Sequence, residues 1–241
     1  MKPQRVIIRN NRNEELVGDL YNGKSKTLII VCYGIEGTES LDTYLQKILP
    51  EYFSDINKRT QASVYAFDFS GYGRSEGKNF LSLRKRNDEI ETVINYFSSQ
   101  YERIILYGYS LGGLSAAIAS VQSKKIDGLI TVNSFFTLNP SNLYRINIAI
   151  ILSYLLSHPR FILELYYRRR KLKIQKISVP VLVVYADKDM FVNPKQSISF
   201  FNKLRTKKKI FTVQNDDHWI KKEYKQIPPQ IEQWIKEERL A

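Results

Sequence analysis

Cysteine, histidine, methionine and tryptophan are all scarce in this chain of 241 residues: one Cys, two His, two Met and two Trp. The lone Cys32 excludes an internal disulfide framework, and with only His158 and His218 beside it a structural zinc site lacks ligands. No structural metal is therefore expected. Nor does any stretch reach the roughly 18 apolar residues of a membrane span. The opening MKPQRVIIRN lacks the apolar centre of a signal peptide, so a cytoplasmic protein is expected. No repeat, low-complexity tract or Pro/Gly/Ser-rich linker divides the chain, and residues 1–241 read as one domain.

Acidic residues are also in deficit, with 24 Asp+Glu against 37 Lys+Arg, a formal charge of +13. Much of the excess lies in two clusters, Arg168–Lys176 and Lys203–Lys209. Such runs attract polyanions, yet they are as often a solvated surface. No nucleic-acid module is interleaved with them, so no specific nucleic-acid partner is expected.

What the chain does have is a regular alternation. Thr27–Cys32 (TLIIVC) is a β-branched run of the kind a strand buried on both faces requires. Similar runs occur at Ser63–Phe69, Arg103–Tyr107, Gly128–Val132, Pro180–Tyr185 and Lys209–Val213. Arg5–Arg9 and Glu14–Tyr21, joined by the Asn-rich Asn10–Asn13, read as a hairpin. Between the runs, Ile90, Val93, Ile94 and Phe97 recur at helical spacing, as do Leu111, Leu114, Ile118 and Val121, and Ile227, Ile231, Trp234 and Ile235. Strands alternating with helices predict an α/β fold, a mostly parallel sheet covered on both faces, with strand C-termini along one edge. One long interval, about residues 136–177, breaks the rhythm. It holds the apolar Ile146–Leu156, then His158-Pro159, then the first basic cluster, and reads as a helical insertion over that edge.

The chemistry centres on Gly108-Tyr109-Ser110-Leu111-Gly112-Gly113. This G-x-S-x-G follows a buried strand and opens an amphipathic helix, the setting that strains the central residue and lifts its hydroxyl out of the turn. The alternative is a structural Gly-rich turn. A serine nucleophile needs a base. His218, just after the last strand, lies at the right edge, whereas His158 sits beside a proline in the apolar insertion. A base in turn needs a carboxylate to set its tautomer. Asp187 and Asp189 both follow the strand ending at Tyr185, and both remain candidates on spacing alone. Asp216 and Asp217 stand too close to His218 in sequence to reach its Nδ1, though they make its surroundings acidic.

In this order the motifs resemble the α/β-hydrolase superfamily, in particular the serine hydrolases grouped with monoacylglycerol lipases and small bacterial esterases. The resemblance runs from Thr27 to Trp234. Asp68–Gly77 is similar to the family's D-x-x-G-x-G-x-S-x-G turn, a structural loop. Ala186–Val192 is similar to its G-x-x-D-x-x-V acid motif, with Ala for Gly, and selects Asp189 over Asp187. The resemblance implies Ser110, Asp189 and His218 as catalytic residues. It implies the main-chain amides of Ile35 and Leu111 as an oxyanion hole, although Tyr33-Gly34 replaces the usual His-Gly and the segment also reads as an ordinary strand exit. Tyr33, Gly34 and Tyr109 are expected to contact substrate. The insertion is expected to be a lid at about 136–177, its apolar lining suited to an acyl chain. The alternative is that it packs on the body or forms a dimer contact.

The expected function is hydrolysis of carboxylic esters of lipophilic acyl groups through a Ser-Asp-His triad and an acyl-enzyme, a mechanism that needs no metal or organic cofactor. An acyl thioesterase or acyltransferase using the same triad is the first alternative, and a non-catalytic binding protein of the same fold the second. The expected partner is a small acyl ester or thioester. Peripheral contact of Arg168–Lys176 with anionic lipid or an acidic carrier is a further expectation, and the oligomeric state is left open.

Overall fold

The structure, a computed structural model, describes residues 2–34, 50–78, 82–136, 164, 173–220 and 222–241. The expected lid at about 136–177 lies almost wholly outside the described residues, as do His158, Ile35 and Arg168–Lys171 of the first basic cluster.

Eight strands form one sheet: β1 Gln4–Arg9, β2 Glu15–Tyr21, β3 Thr27–Cys32, β4 Ser63–Phe67, β5 Arg103–Tyr109, β6 Gly128–Val132, β7 Val181–Ala186 and β8 Lys208–Val213. Their order is β1-β2-β4-β3-β5-β6-β7-β8. β1 and β2 pair antiparallel, β2 meets β4 antiparallel, and every pairing from β4 to β8 is parallel. The hairpin turn places Asn13 at φ 61°, a conformation asparagine tolerates. Helices are α1 (residues 50–60), α2 Leu83–Phe97, α3 Leu111–Gln122, α4 Pro194–Lys203 and α5 Ile227–Glu237.

The continuous apolar strands split their side chains between two cores, as alternation across a pleat demands. Leu28, Ile30, Leu106 and Val183 face α2, α3 and α4. Ile29, Val31, Ile105, Ile130 and Val184 face α1 and α5, whose Ile56 and Trp234 are buried against them. The α2 stripe expected from sequence is fully buried, and Ser82 caps that helix by accepting from the amide of Lys85 at 3.2 Å. The carboxylate of Glu164 accepts from the Ser82 hydroxyl at 2.9 Å and from the Arg84 amide at 3.3 Å, an anion at a helix N-terminus.

The helices α1 and α4 are additions to the three expected from the sequence. The buried face of α4 is Gln196, Ser197 and Phe200, two of them polar, so the apolar periodicity is masked although Asn193 caps it and Pro194 begins it. The second basic cluster is partly absorbed into the scaffold. Lys208 donates to the carbonyls of Phe201 and Leu204 at the end of α4, at 2.9 and 3.0 Å, while Lys207 and Lys209 pair with Glu238 and Glu237. No helix among the described residues is long and apolar enough to cross a membrane.

Register aligns the strand ends that matter. Cys32 pairs with Gly108, Tyr109 with Val132, Val132 with Val184, and Ala186 with Val213. The residues that follow β3, β5, β6, β7 and β8 therefore meet along one edge. Cys32 lies fully buried beneath it, and burial pushes its thiol from the ordinary 9.0 up to about 12. The folded state thus keeps a proton that the unfolded thiol releases above pH 9, so stability is full below that pH and falls as pH rises toward 12. Urea midpoints measured from about pH 8 to 11 should fall, more shallowly in Cys32→Ala between about pH 9 and 10, before tyrosines ionise. Native protein should leave a thiol reagent such as Ellman's reagent unreacted, and unfolded protein should consume one equivalent.

Candidate active site

β5 ends at Tyr109 and α3 begins at Leu111, so Ser110 alone makes the reversal, at φ 54° and ψ −122°. A non-glycine residue there is strained, and the surroundings hold it in place. Its amide donates to the Val132 carbonyl at 3.0 Å, and its carbonyl accepts from Gly113 at 3.1 Å and Phe135 at 3.0 Å. The turn is tight enough that a Cβ on Gly112 would lie 2.0 Å from the Cys32 carbonyl oxygen. Gly34 is constrained too, though less tightly: a Cβ there would sit 2.8 Å from the Ser110 Cβ and 3.3 Å from its Oγ. The strand exit after β3 thus runs directly against the serine.

His218 follows β8, and its Nε2 lies 3.2 Å from the Ser110 Oγ. Its Nδ1 is 2.7 Å from Asp189 Oδ2. The two side chains are only 5% and 1% exposed, so this pairing is shielded from water. With Nδ1–H donating to the carboxylate, Nε2 is left as an acceptor for the serine hydroxyl. The other oxygen, Asp189 Oδ1, accepts from the amides of Phe191 and Val192, both at 2.8 Å. These bonds fix the orientation of the carboxylate.

The competing carboxylates have other tasks. Asp187 accepts from the Asn215 amide at 2.7 Å, tying the acid turn to the histidine loop. Asp216, buried, accepts from Lys222 and Glu223 amides at 3.0 and 2.7 Å, and Asp217 accepts from the Trp219 amide at 2.9 Å. The acidic residues next to His218 thus organise its loop. In the D-x-x-G turn, Asp68 accepts from Arg74 through both amide and guanidinium at 3.1 Å, in keeping with its structural reading.

Two residues that sequence reasoning missed hold the arrangement together. Asn133, 1% exposed at φ 44°, donates to the His218 carbonyl at 2.8 Å and accepts from the Ala186 amide at 2.7 Å. One side chain therefore links the base loop to the start of the acid turn. Tyr109, expected to touch substrate, donates its hydroxyl to the same His218 carbonyl at 2.5 Å. Arg86 projects from α2 onto the carbonyls of Tyr33 and Gly34, at 3.1 and 2.9 Å, with its guanidinium 4.1 Å above the Phe69 ring. The only available signals were an asparagine ending an apolar strand and an arginine on the buried face of α2, three residues from Leu83 and four from Ile90. No cluster of three or more His, Cys, Asp or Glu side chains suited to a metal occurs among the described residues.

The family model described as serine aminopeptidase, S33, matches residues 51–171, half of the chain. The chain belongs to this family, and it is a serine hydrolase of the α/β-hydrolase fold. A second model, of PhoPQ-activated pathogenicity-related protein, matches residues 152–239. No curated protein matches. Among solved structures, Est1E from Butyrivibrio proteoclasticus with bound ferulic acid superposes with a TM-score of 0.76 at 18% identity, over 98% of this chain and 100% of that one. DcsB in complex with its substrate analogue gives 0.76 at 16% identity over 98% and 99%. The monoacylglycerol lipase of Paleococcus ferrophilus gives 0.71 at 19% over 93% and 99%. At such identities the likeness is one of fold.

Replacing Asn133 by Ala should unfasten the base loop from the acid turn. With an ester substrate, kcat should fall about 10- to 100-fold while KM changes little, since misplacement of a catalytic group by about 1 Å is that costly. Steady-state kinetics beside a melting curve check this. A lower melting temperature with unchanged kcat would assign Asn133 to stability alone.

Proposed function

We propose that the protein hydrolyses carboxylic esters of lipophilic acyl groups by a two-step acyl transfer on Ser110. The observation that carries this reading is the unbroken hydrogen-bond chain Ser110–His218–Asp189 at the sheet edge. Ser110 Oγ attacks the ester carbonyl carbon as His218 Nε2 takes its proton. The resulting imidazolium is stabilised by Asp189. It then protonates the leaving alkoxide as the carbon–oxygen bond breaks, leaving the acyl group on Ser110. Water, deprotonated by His218, attacks this acyl-enzyme; the bond from the acyl carbon to Oγ breaks, the imidazolium returns its proton to Oγ, and the carboxylic acid leaves.

The oxyanion would be held by main-chain donors. Leu111 is the first residue of α3, and a first-turn amide at that position has no partner within the helix. Such a donor is typically worth about 3 kcal/mol in the transition state. Ile35, the second expected donor, lies outside the described residues, but the Gly34 backbone that leads to it abuts Ser110 and is gripped by Arg86. The names of the structural neighbours, esterases and a monoacylglycerol lipase among them, agree with ester chemistry and a small-molecule substrate. The lipophilic acyl preference rests on the apolar residues of the 136–177 segment alone.

The test is a p-nitrophenyl ester series from acetate to palmitate beside matched acyl-CoA thioesters. Activity should peak at C8 or longer and drop about 1,000-fold or more in Ser110→Ala. A peak at C2–C4 would discard the lipophilic preference, dominance of acyl-CoA would favour thioester cleavage, and full activity in the variant would remove Ser110 as nucleophile.

A further inference from the structure

Five large apolar side chains are exposed among the described residues: Ile7, Tyr96, Met190, Phe191 and Ile198. Two of these follow Asp189 directly, Met190 at 53% exposure and Phe191 at 46%. Apolar surface left in water at the mouth of a catalytic pair is a cost unless something covers it.

The Phe191 ring centroid lies 5.4 Å from the imidazole of His218 and 5.5 Å from Trp219, which meets the imidazole edge-on at 5.2 Å. Tyr109 also touches the imidazole, at 5.4 Å, but its hydroxyl is engaged with the His218 carbonyl. Among the described residues Phe191 is exposed and Trp219, like Tyr109, half-buried; Phe191 and Trp219 are the two that also pack on each other beside the base, forming one aromatic surface there. Neither hangs on a loose loop. The Phe191 amide is held by Asp189 Oδ1 at 2.8 Å and the Trp219 amide by Asp217 Oδ1 at 2.9 Å. The carboxylate that orients the base thus also orients the ring beside it.

The chemistry says which part of a substrate meets these rings. When the acyl–oxygen bond breaks, the electron pair goes to the departing oxygen, and that oxygen takes the proton from His218 Nε2. The leaving alcohol therefore lies against the imidazole, whereas the acyl group stays on Ser110. Resting on the ester-hydrolase reading above, we infer that Phe191 and Trp219 form an aromatic rim that binds the alcohol side of the substrate and selects esters of flat, apolar alcohols. Offset or edge-on packing of an arene on two preset rings adds specificity beyond the buried area.

The experiment fixes the acyl group as octanoate and compares 1-butyl with 2-naphthylmethyl esters, both of primary alcohols with similarly poor leaving groups. The rim predicts a kcat/KM ratio of at least about 10 in favour of the naphthylmethyl ester, falling at least about fivefold in Phe191→Ala and in Trp219→Ala. A second arm needs no turnover. Binding of 2-naphthylmethanol to Ser110→Ala should quench the fluorescence of Trp219, with Trp219→Phe as the blank, and the quench should vanish in Ser110→Ala/Phe191→Ala. A ratio that Phe191→Ala leaves unchanged, with no binding in the second arm, overturns the rim and leaves the hydrolase reading intact. Binding that depends on Phe191, without turnover of either ester, upholds the aromatic site and overturns the hydrolase reading.

Discussion

The reversal at Ser110 is the constraint on which the rest of the site depends. A serine at φ 54° is strained by about 1–3 kcal/mol, and it persists because its neighbours over-determine it. Its amide and carbonyl are tied to three residues, and the α3 backbone at Gly112 presses onto the carbonyl that ends β3. Parallel strands buried on both faces make this rigid, because their register sets the exits of β3, β5 and β6 side by side. The same packing brings Gly34 against the hydroxyl, so nucleophile and strand exit are one built unit.

The acid and base stand on separate loops, and their alignment is achieved through the backbone. Asn133 bonds to both loops at once, Tyr109 adds a second donor to the His218 carbonyl, and Asp187 reaches across to Asn215. Asp189 divides its two oxygens between His218 on one side and the Phe191 and Val192 amides on the other. Each contact is modest by itself, about 0.5–1.5 kcal/mol, or somewhat more where a carboxylate accepts. Together they hold Nε2 toward Ser110 in a site that admits little water, where a charge-assisted bond is stronger than in solvent.

Much of this was legible in the residues. Runs such as TLIIVC and GLITV have no polar alternation because both faces are buried, so strand identity followed from the runs themselves and parallel pairing from their alternation with helices. The G-x-S-x-G turn was readable because glycine is the residue that lets backbones approach this closely. The choice of Asp189 over Asp187 came from the family resemblance, not from spacing, since both carboxylates lie on one short turn. Asn133 and Arg86 escaped because their partners are main-chain carbonyls and amides, which leave no side-chain pattern in the sequence. The helix α4 escaped for a related reason: Gln196 is buried but spends its carbonyl oxygen on the Phe136 amide, a polar residue doing a core residue's positional work.

The central claim is that Ser110 carries the acyl group between the two halves of the reaction. Rapid quenching of enzyme with a medium-chain p-nitrophenyl ester, followed by intact mass measurement and peptide mapping, tests it directly. The account predicts a transient mass increase of one acyl group, confined to the peptide containing Ser110 and absent from Ser110→Ala. Turnover with no covalent adduct, or an adduct on another residue, would contradict it.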